Sequence, residues 1–273
     1  DGYVMSDWGA VNQRVDGLKA GLELEMPGGN VANDEKIIKA VQNGELEESV
    51  LDEACERMLT VLYRYVEQKK DGVVFDRDAD HEVARRVASQ CMVLLRNEEN
   101  ILPLKKEQKV AFIGKFAQAP RYQGGGSSHI NSHKVTSALE AVKEVATVTY
   151  AQGYDTKEDV TLPDLHDEAV KTAAAADVAV IFAGLPDAFE SEGYDRTHLN
   201  LPNCQNRLID DICAVQKNVV VVLHNGSPVT MPWKDKVKGI LEVYLGGQAV
   251  GGATVDVPVS YTHLRAHETG RNL

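Results

Sequence analysis

Val178-Ala179-Val180-Ile181-Phe182 and Val219-Val220-Val221-Val222-Leu223 are two unbroken apolar runs of strand length. A strand that faces water on one side alternates polar and apolar residues, so runs without alternation belong in a sheet covered on both faces. Working outward, residues 204–215 read as the helix between them, and 165–176 and 136–143 as helices before them. Strands at 145–150, Val110–Gly114 and 239–245 complete an alternation of strand and helix. That order predicts an α/β sandwich built on a mostly parallel sheet. Further upstream, His81 to about Ala88 reads as a helix, Val93-Leu94-Leu95 as a short strand and 97–103 as a turn.

The first third has a different texture. Tyr3-Val4-Met5 is strand-like, Arg14 to Ala20 suits a helix, and Gly21 to Met26 alternates before Pro27-Gly28-Gly29 stops it, a βαβ-like order. Helices are expected at Asp34–Asn43 and Ser49–Tyr65. In the second, Leu51, Cys55, Met58, Leu59 and Leu62 form an apolar stripe, and Ser49 with Asp52 has capping-box spacing. The charged stretch 71–80 reads as a linker. The expected organisation is therefore 1–70, a linker at 71–80, a sandwich domain at 81–257, and a tail at 258–273 with no apolar period.

Composition narrows the functional classes. A length of 273 residues corresponds to about two domains. The net charge is −12 and the cationic runs are only pairs such as Lys69-Lys70 and Arg85-Arg86, which argues against a nucleic-acid partner. No run approaches the roughly 20 apolar residues that span a bilayer, so no membrane role is expected. Cys55, Cys91, Cys204 and Cys213 show no C-x-x-C and read as core thiols; with the acidic balance they favour the cytoplasm.

Three stretches could carry chemistry. Gln123-Gly124-Gly125-Gly126-Ser127-Ser128 follows a strand too late for a dinucleotide fingerprint and lacks the Gly-Lys-Ser/Thr of a phosphate loop. It reads either as a surface loop or as one whose backbone approaches a ligand. Asp7, between Ser6 and Trp8, directly follows a strand; it suits a nucleophile with an indole to stack on a sugar ring, or equally an N-capping residue. Glu190-Ser191-Glu192-Gly193-Tyr194-Asp195-Arg196 crowds ionisable groups into one loop, either a solvated acidic loop or a general acid/base site. His81, His129, His133, His166, His198 and His224 are dispersed, with the first opening a helix, 166 and 198 in loops and 224 ending a strand. They form no metal ligand set, and H-E-x-x-H and G-x-S-x-G are absent. Ser227 reads as a turn residue.

Taken together, Gly2 to Val11, Ala20 to Gly28 and Glu190 to Arg196 resemble glycoside hydrolase family 3, the β-glucosidase-like enzymes. Val93 to Asn97 with Leu102-Pro103-Leu104, Pro120 to Ser128 and Leu245-Gly246-Gly247-Gln248 extend the resemblance nearly end to end. It implies a (β/α)8-type barrel followed by an α/β sandwich, with the nucleophile after the seventh barrel strand and the acid/base on a sandwich loop. Asp7 matches the first. Glu192 matches the second, with Glu190 as runner-up, Trp8 as a substrate contact, and Tyr194, Asp195 and Arg196 as supporting residues. The implied chemistry is retaining hydrolysis of a terminal β-glucoside in a glycoside or oligosaccharide, without metal or organic cofactor. β-Xylosidase and a non-catalytic α/β binding module are the alternatives.

Two features depart from the family pattern. Glu23 stands where the family more often has Asp, and the chain starts at the expected seventh barrel strand. Residues 1 to about 65 should then expose apolar surface, with aggregation or poor folding, and the chain should be inactive alone. Val259 to Thr269 also resembles one reading frame of a sequencing adapter.

Overall fold

The computed structural model describes residues 2–105 and 107–259. The chain divides into two compact units, one running to Val74 and the other starting at Phe75.

In the first unit, β1 (Val4–Met5) and β2 (Leu22–Leu24) pair in parallel on either side of α1 (Arg14–Lys19). Buried Arg14 holds the crossover by donating to the carbonyls of Leu22 (2.9 Å) and Glu23 (3.0 Å). Glu23 ties the two strands together, accepting from the Val4 amide at 2.7 Å and from Arg57 at 2.6 Å. These two donors, the amide first, hold its carboxyl below the usual range. α2 (Val31–Gln42) and α3 (Glu48–Gln68) follow, and Leu18, Ile37, Ala40, Leu46 and Ala54 form a small core. Two expectations need correction here. α3 caps at Glu47 without a side-chain hydrogen bond, so Ser49 and Asp52 lie inside the helix and form no box. Only Ala54 of α3 is buried, while Cys55, Leu59 and Leu62 are exposed, because this unit packs a single edge of the helix. No closed barrel forms among the described residues.

The second unit begins with α4 (Arg77–Cys91). Its first turn occupies residues 77–80, which the charge pattern assigns to a linker. The reason is local: Asp76 accepts from the Asp78 and Ala79 amides and caps the helix. Next come β3 (Val93–Asn97), β4 (Val110–Ile113), α5 (Lys115–Gln118), α6 (Ala138–Ala141), β5 (Val148–Ala151), α7 (Pro163–Ala174) and β6 (Val178–Gly184). α8 (Asn203–Val215), β7 (Val219–His224), β8 (Gly239–Glu242) and α9 (Val250–Val259) complete it. The six strands are ordered β3-β8-β7-β6-β4-β5, all parallel except β3 against β8. Every residue of β6 and β7 is buried, as their unbroken apolar runs predict. α4 and α6 pack on α9, and α7 on α8; Arg85 adds a bidentate pair to Asp256, both bonds 2.7 Å. Among the described residues the capping box is at α6, between Ser137 and Glu140.

Other details also differ from the sequence reading. His166 lies in α7 rather than in a loop, and Cys91 is exposed, so only Cys204 is a buried thiol and Cys213 a half-buried one. Of the expected tail, the backbone of residues 258 and 259 completes α9, and the rest lies outside the described residues.

The strand order sets up the site. From β4 the chain steps outward to β5, then returns to the other side of β4 and adds β6, β7 and β8 in turn. The connections after β4 and β6 therefore leave in opposite directions, and in open parallel sheets ligands bind in the crevice beyond such a switch point.

Candidate functional site

The loops after β4 and β6 meet at that crevice, and they carry the glycine-rich stretch and the acidic cluster. Gly114 starts the first loop at φ +114°, where an added Cβ would lie 2.2 Å from the Phe182 carbonyl oxygen, so only glycine lets the two strand ends approach this closely. Within the loop, Gln123 exchanges two 3.0 Å hydrogen bonds with the Ile130 backbone and cinches residues 123–130. The closed loop clasps the acidic cluster. The Ser127 amide donates to Glu192 Oε2 at 2.6 Å, and the Glu192 amide donates back to the Gly125 carbonyl at 3.3 Å. A Cβ at Gly125 would meet Ser191 Oγ at 2.5 Å, and one at Gly126 would meet Glu192 Cβ at 2.5 Å. The triple glycine is thus neither a free surface loop nor a phosphate cradle; it shapes itself around one carboxylate.

Two glutamates in this cluster have different surroundings. Glu192 is exposed, and its bonds from Ser127 lower its carboxyl from the usual value. Glu190 is half-buried and has both oxygens engaged, one by the Gly226 amide at 2.9 Å and the other by the Ser227 hydroxyl. An acid that must exchange protons with a ligand needs a free oxygen, and among the described residues Glu192 Oε1 has no hydrogen-bond partner whereas both oxygens of Glu190 do.

Residues that sequence reading passed over build the frame. Arg121, 6 % exposed, sends its guanidinium to the carbonyls of Gln123 (2.9 Å), Leu185 (2.6 Å) and Glu190 (2.8 Å) and pairs with Asp187 at 2.9 Å. It bolts the root of one loop to the first residues of the next. Glu242, at the end of β8, is buried beside Asn225 (3.2 Å) and the Tyr244 amide (2.9 Å), and burial pushes its carboxyl up to about 7. Ser227 is a turn residue, as expected, and its hydroxyl also serves Glu190. A signal for Glu242 was available: a carboxylate inside the apolar strand Gly239–Glu242.

Of the supporting candidates, Arg196 donates to the Pro228 carbonyl at 2.8 Å and Tyr194 to the Asp187 carbonyl, so both brace the loop. Asp195 is exposed. Phe189, Glu190, Tyr194, Arg196, His198 and Ser227 help line a groove of about 600 Å³ on the loop. In the first unit, Asp7 follows β1 as the sequence indicates. It is exposed, accepts from the Trp8 amide at 2.8 Å, and is joined by a Trp8 side chain that is 70 % exposed. Asp7 caps no helix, since α1 starts seven residues later at Arg14. Among the described residues no group of three or more His, Cys, Asp or Glu could hold a metal ion.

Residues 92–260 match the family described as "Glycosyl hydrolase family 3 C-terminal domain". The chain is 52 % identical over 261 residues to thermostable beta-glucosidase B of Acetivibrio thermocellus, and 44 % identical over 269 residues to an exo-alpha-(1->6)-L-arabinopyranosidase of Bifidobacterium longum. Both alignments take in 94 % of this chain, which spans 35 % of each relative's length. Among solved structures, the GH3 beta-glucosidase of Bifidobacterium adolescentis superposes with a TM-score of 0.88 at 43 % identity, covering 96 % of this chain and 39 % of that one.

Proposed function

Because the chain belongs to glycoside hydrolase family 3, we propose that it supplies both catalytic carboxylates of a retaining exo-β-glycosidase acting on terminal β-glucosides. The observation that carries this reading is the Ser127–Glu192 clasp at the sheet's switch point: one accessible carboxylate, positioned by backbone, beside a second that is fully engaged. On this reading residues 1–70 are the end of a (β/α)8-type barrel, and the sandwich domain follows a short linker and opens with α4 at Arg77.

The roles follow from the chemistry. Glu192 protonates the leaving glycosidic oxygen as Asp7 attacks the anomeric carbon, giving a glycosyl-enzyme ester. Glu192, now a carboxylate, takes a proton from water, which attacks the same carbon and frees Asp7. Trp8 offers its exposed indole to the sugar face, while Tyr194, Asp195 and Arg196 support the acid/base loop. The Ser127 amide favours the ionised form of Glu192, which suits the second step; the first requires that bond to lengthen once a sugar is bound. No metal or organic cofactor takes part.

The sugar is the finer question. The arabinopyranosidase activity in the name of a 44 % identical relative keeps pentopyranosides in view, so β-xylosidase is the second reading. A chimera in which this chain replaces the matching 35 % of the Acetivibrio thermocellus enzyme tests the proposal. A 2-fluoro-glucoside with a good leaving group should label the Asp7 peptide. Asp7→Ala should abolish turnover, and Glu192→Ala should cost about 10²–10⁴-fold on substrates with poor leaving groups. Full activity in both variants would leave the binding-module reading.

A further inference from the structure

The Asn225-Gly226-Ser227 turn after β7 touches two carboxylates at once. On its inner side the Asn225 amide donates to Glu242 Oε2 at 3.2 Å and to the Ser227 carbonyl at 3.1 Å. On its outer side the Gly226 amide and the Ser227 hydroxyl hold Glu190. Glu190 stands two residues before Glu192, and the Glu190 carbonyl is fixed by Arg121. An unbroken chain of hydrogen bonds and short backbone therefore runs from the end of β8 to the acid/base loop. Its inner end is costly to maintain: Glu242 is 6 % exposed, and Asn225 Oδ1 is buried with no partner among the described residues. Tyr244, whose amide caps Glu242, lies at φ +54°, a left-handed conformation that a tyrosine rarely adopts. A buried acid, an orphaned amide oxygen and a strained residue in one place indicate a constrained function.

We propose that Glu242 is a positioning residue for the acid/base: through the Asn225-Gly226-Ser227 turn it sets the place of Glu190 and thereby that of Glu192. This rests on the reading of Glu192 given above. The device depends on charge. Glu190 is the titratable group that acts on Glu242, reaching across from the β6 loop, whereas its hydrogen-bond partners, the Asn225 side chain and the Tyr244 amide, do not titrate in this range. Once Glu242 ionises, two carboxylates repel across the turn and the loop loses its fixed position.

The test is a pH titration of this chain by heteronuclear NMR without sugar, following the Glu242 carboxyl and the amides of Ser127, Glu192 and Gly226. All four should move together near pH 7 in the wild type, and the three amides should lose that step in Glu242→Gln. Should Glu242→Gln fail to fold, Ser227→Ala cuts the relay at its exposed end. The step at Gly226 should then persist while its amplitude at Ser127 and Glu192 falls at least twofold. Amides of Ser127 and Glu192 that ignore the Glu242 titration, or amplitudes unchanged in Ser227→Ala, overturn the proposal. The titration needs no catalysis, so it can fail while the Glu192→Ala kinetics succeed, and the reverse.

Discussion

Glu190 accepts from the Gly226 amide and the Ser227 hydroxyl, whereas Glu192 takes one backbone amide at the protein surface. Function at this scale depends on which donors the fold delivers to each. Gly126 makes the point experimentally. Alanine there combines φ +92° with a methyl 2.5 Å from Glu192 Cβ. We expect Gly126→Ala to cost about 1–2 kcal/mol from the backbone alone, read as a lower denaturation midpoint, and to lower kcat more than it raises KM in the chimera. Glu242 makes a second prediction, with a definite sign. Its folded value near 7 lies above its ordinary 4.5, so between these the native state binds more protons than the unfolded chain. Its stabilising effect is complete below about pH 4.5 and is lost as pH rises through 7. Buried His224, driven down to about 4 by desolvation, acts in the opposite sense, losing stability as pH falls from 6.5. Glu242→Gln should remove the first effect only. Relative to wild type, the variant should gain up to about 3 kcal/mol between pH 5 and pH 8 in denaturant titrations, and equal gains at both pH values would contradict this.

At the level of elements, hydrophobic pattern specified more than capping did. β6 and β7 were legible because continuous apolar residues have few other places to go, and the alternation around them predicts the parallel sheet. The Ser49–Asp52 spacing misleads because spacing alone does not say where a helix starts: Leu46 is buried in the small core and the helix begins at Glu48, so no box forms. Asp76 does not stand out as a cap in the sequence because it sits in a charged stretch resembling a linker. Alanine substitution separates these cases. Asp76→Ala and Ser137→Ala should each destabilise by about 1 kcal/mol, while Ser49→Ala should stay within about 0.5 kcal/mol. Thermal melts of the three variants provide the check. Asp7, Glu192 and the glycine loop were visible as motifs and Glu242 as a carboxylate in an apolar strand, but the role of Arg121 was not, because its partners are carbonyls of loops distant in sequence, and main-chain carbonyls leave no mark there.

For the whole molecule, the two units differ in how completely they cover their apolar residues. The sandwich buries a continuous core from Ala88 to Val257. The first unit leaves Val4, Met5, Leu59, Leu62, Tyr63 and Val66 exposed around a five-residue core. Such a surface favours association. Dye binding to apolar surface and light scattering should both be high for this chain and fall in the chimera, while a cooperative melt with little dye binding would count against this view. No helix of the described residues is long and apolar enough to cross a membrane, so the exposure is not that of a spanning segment. On the reading proposed above, one glutamate of the pair, Glu192, moves the proton. Azide rescue in the chimera tests it most directly, using an aryl β-glucoside whose leaving group needs no protonation. Azide should accelerate Glu192→Ala and yield the β-glucosyl azide, and it should leave Glu190→Ala unchanged. Rescue of Glu190→Ala with none for Glu192→Ala would contradict the account and exchange the roles of the two residues.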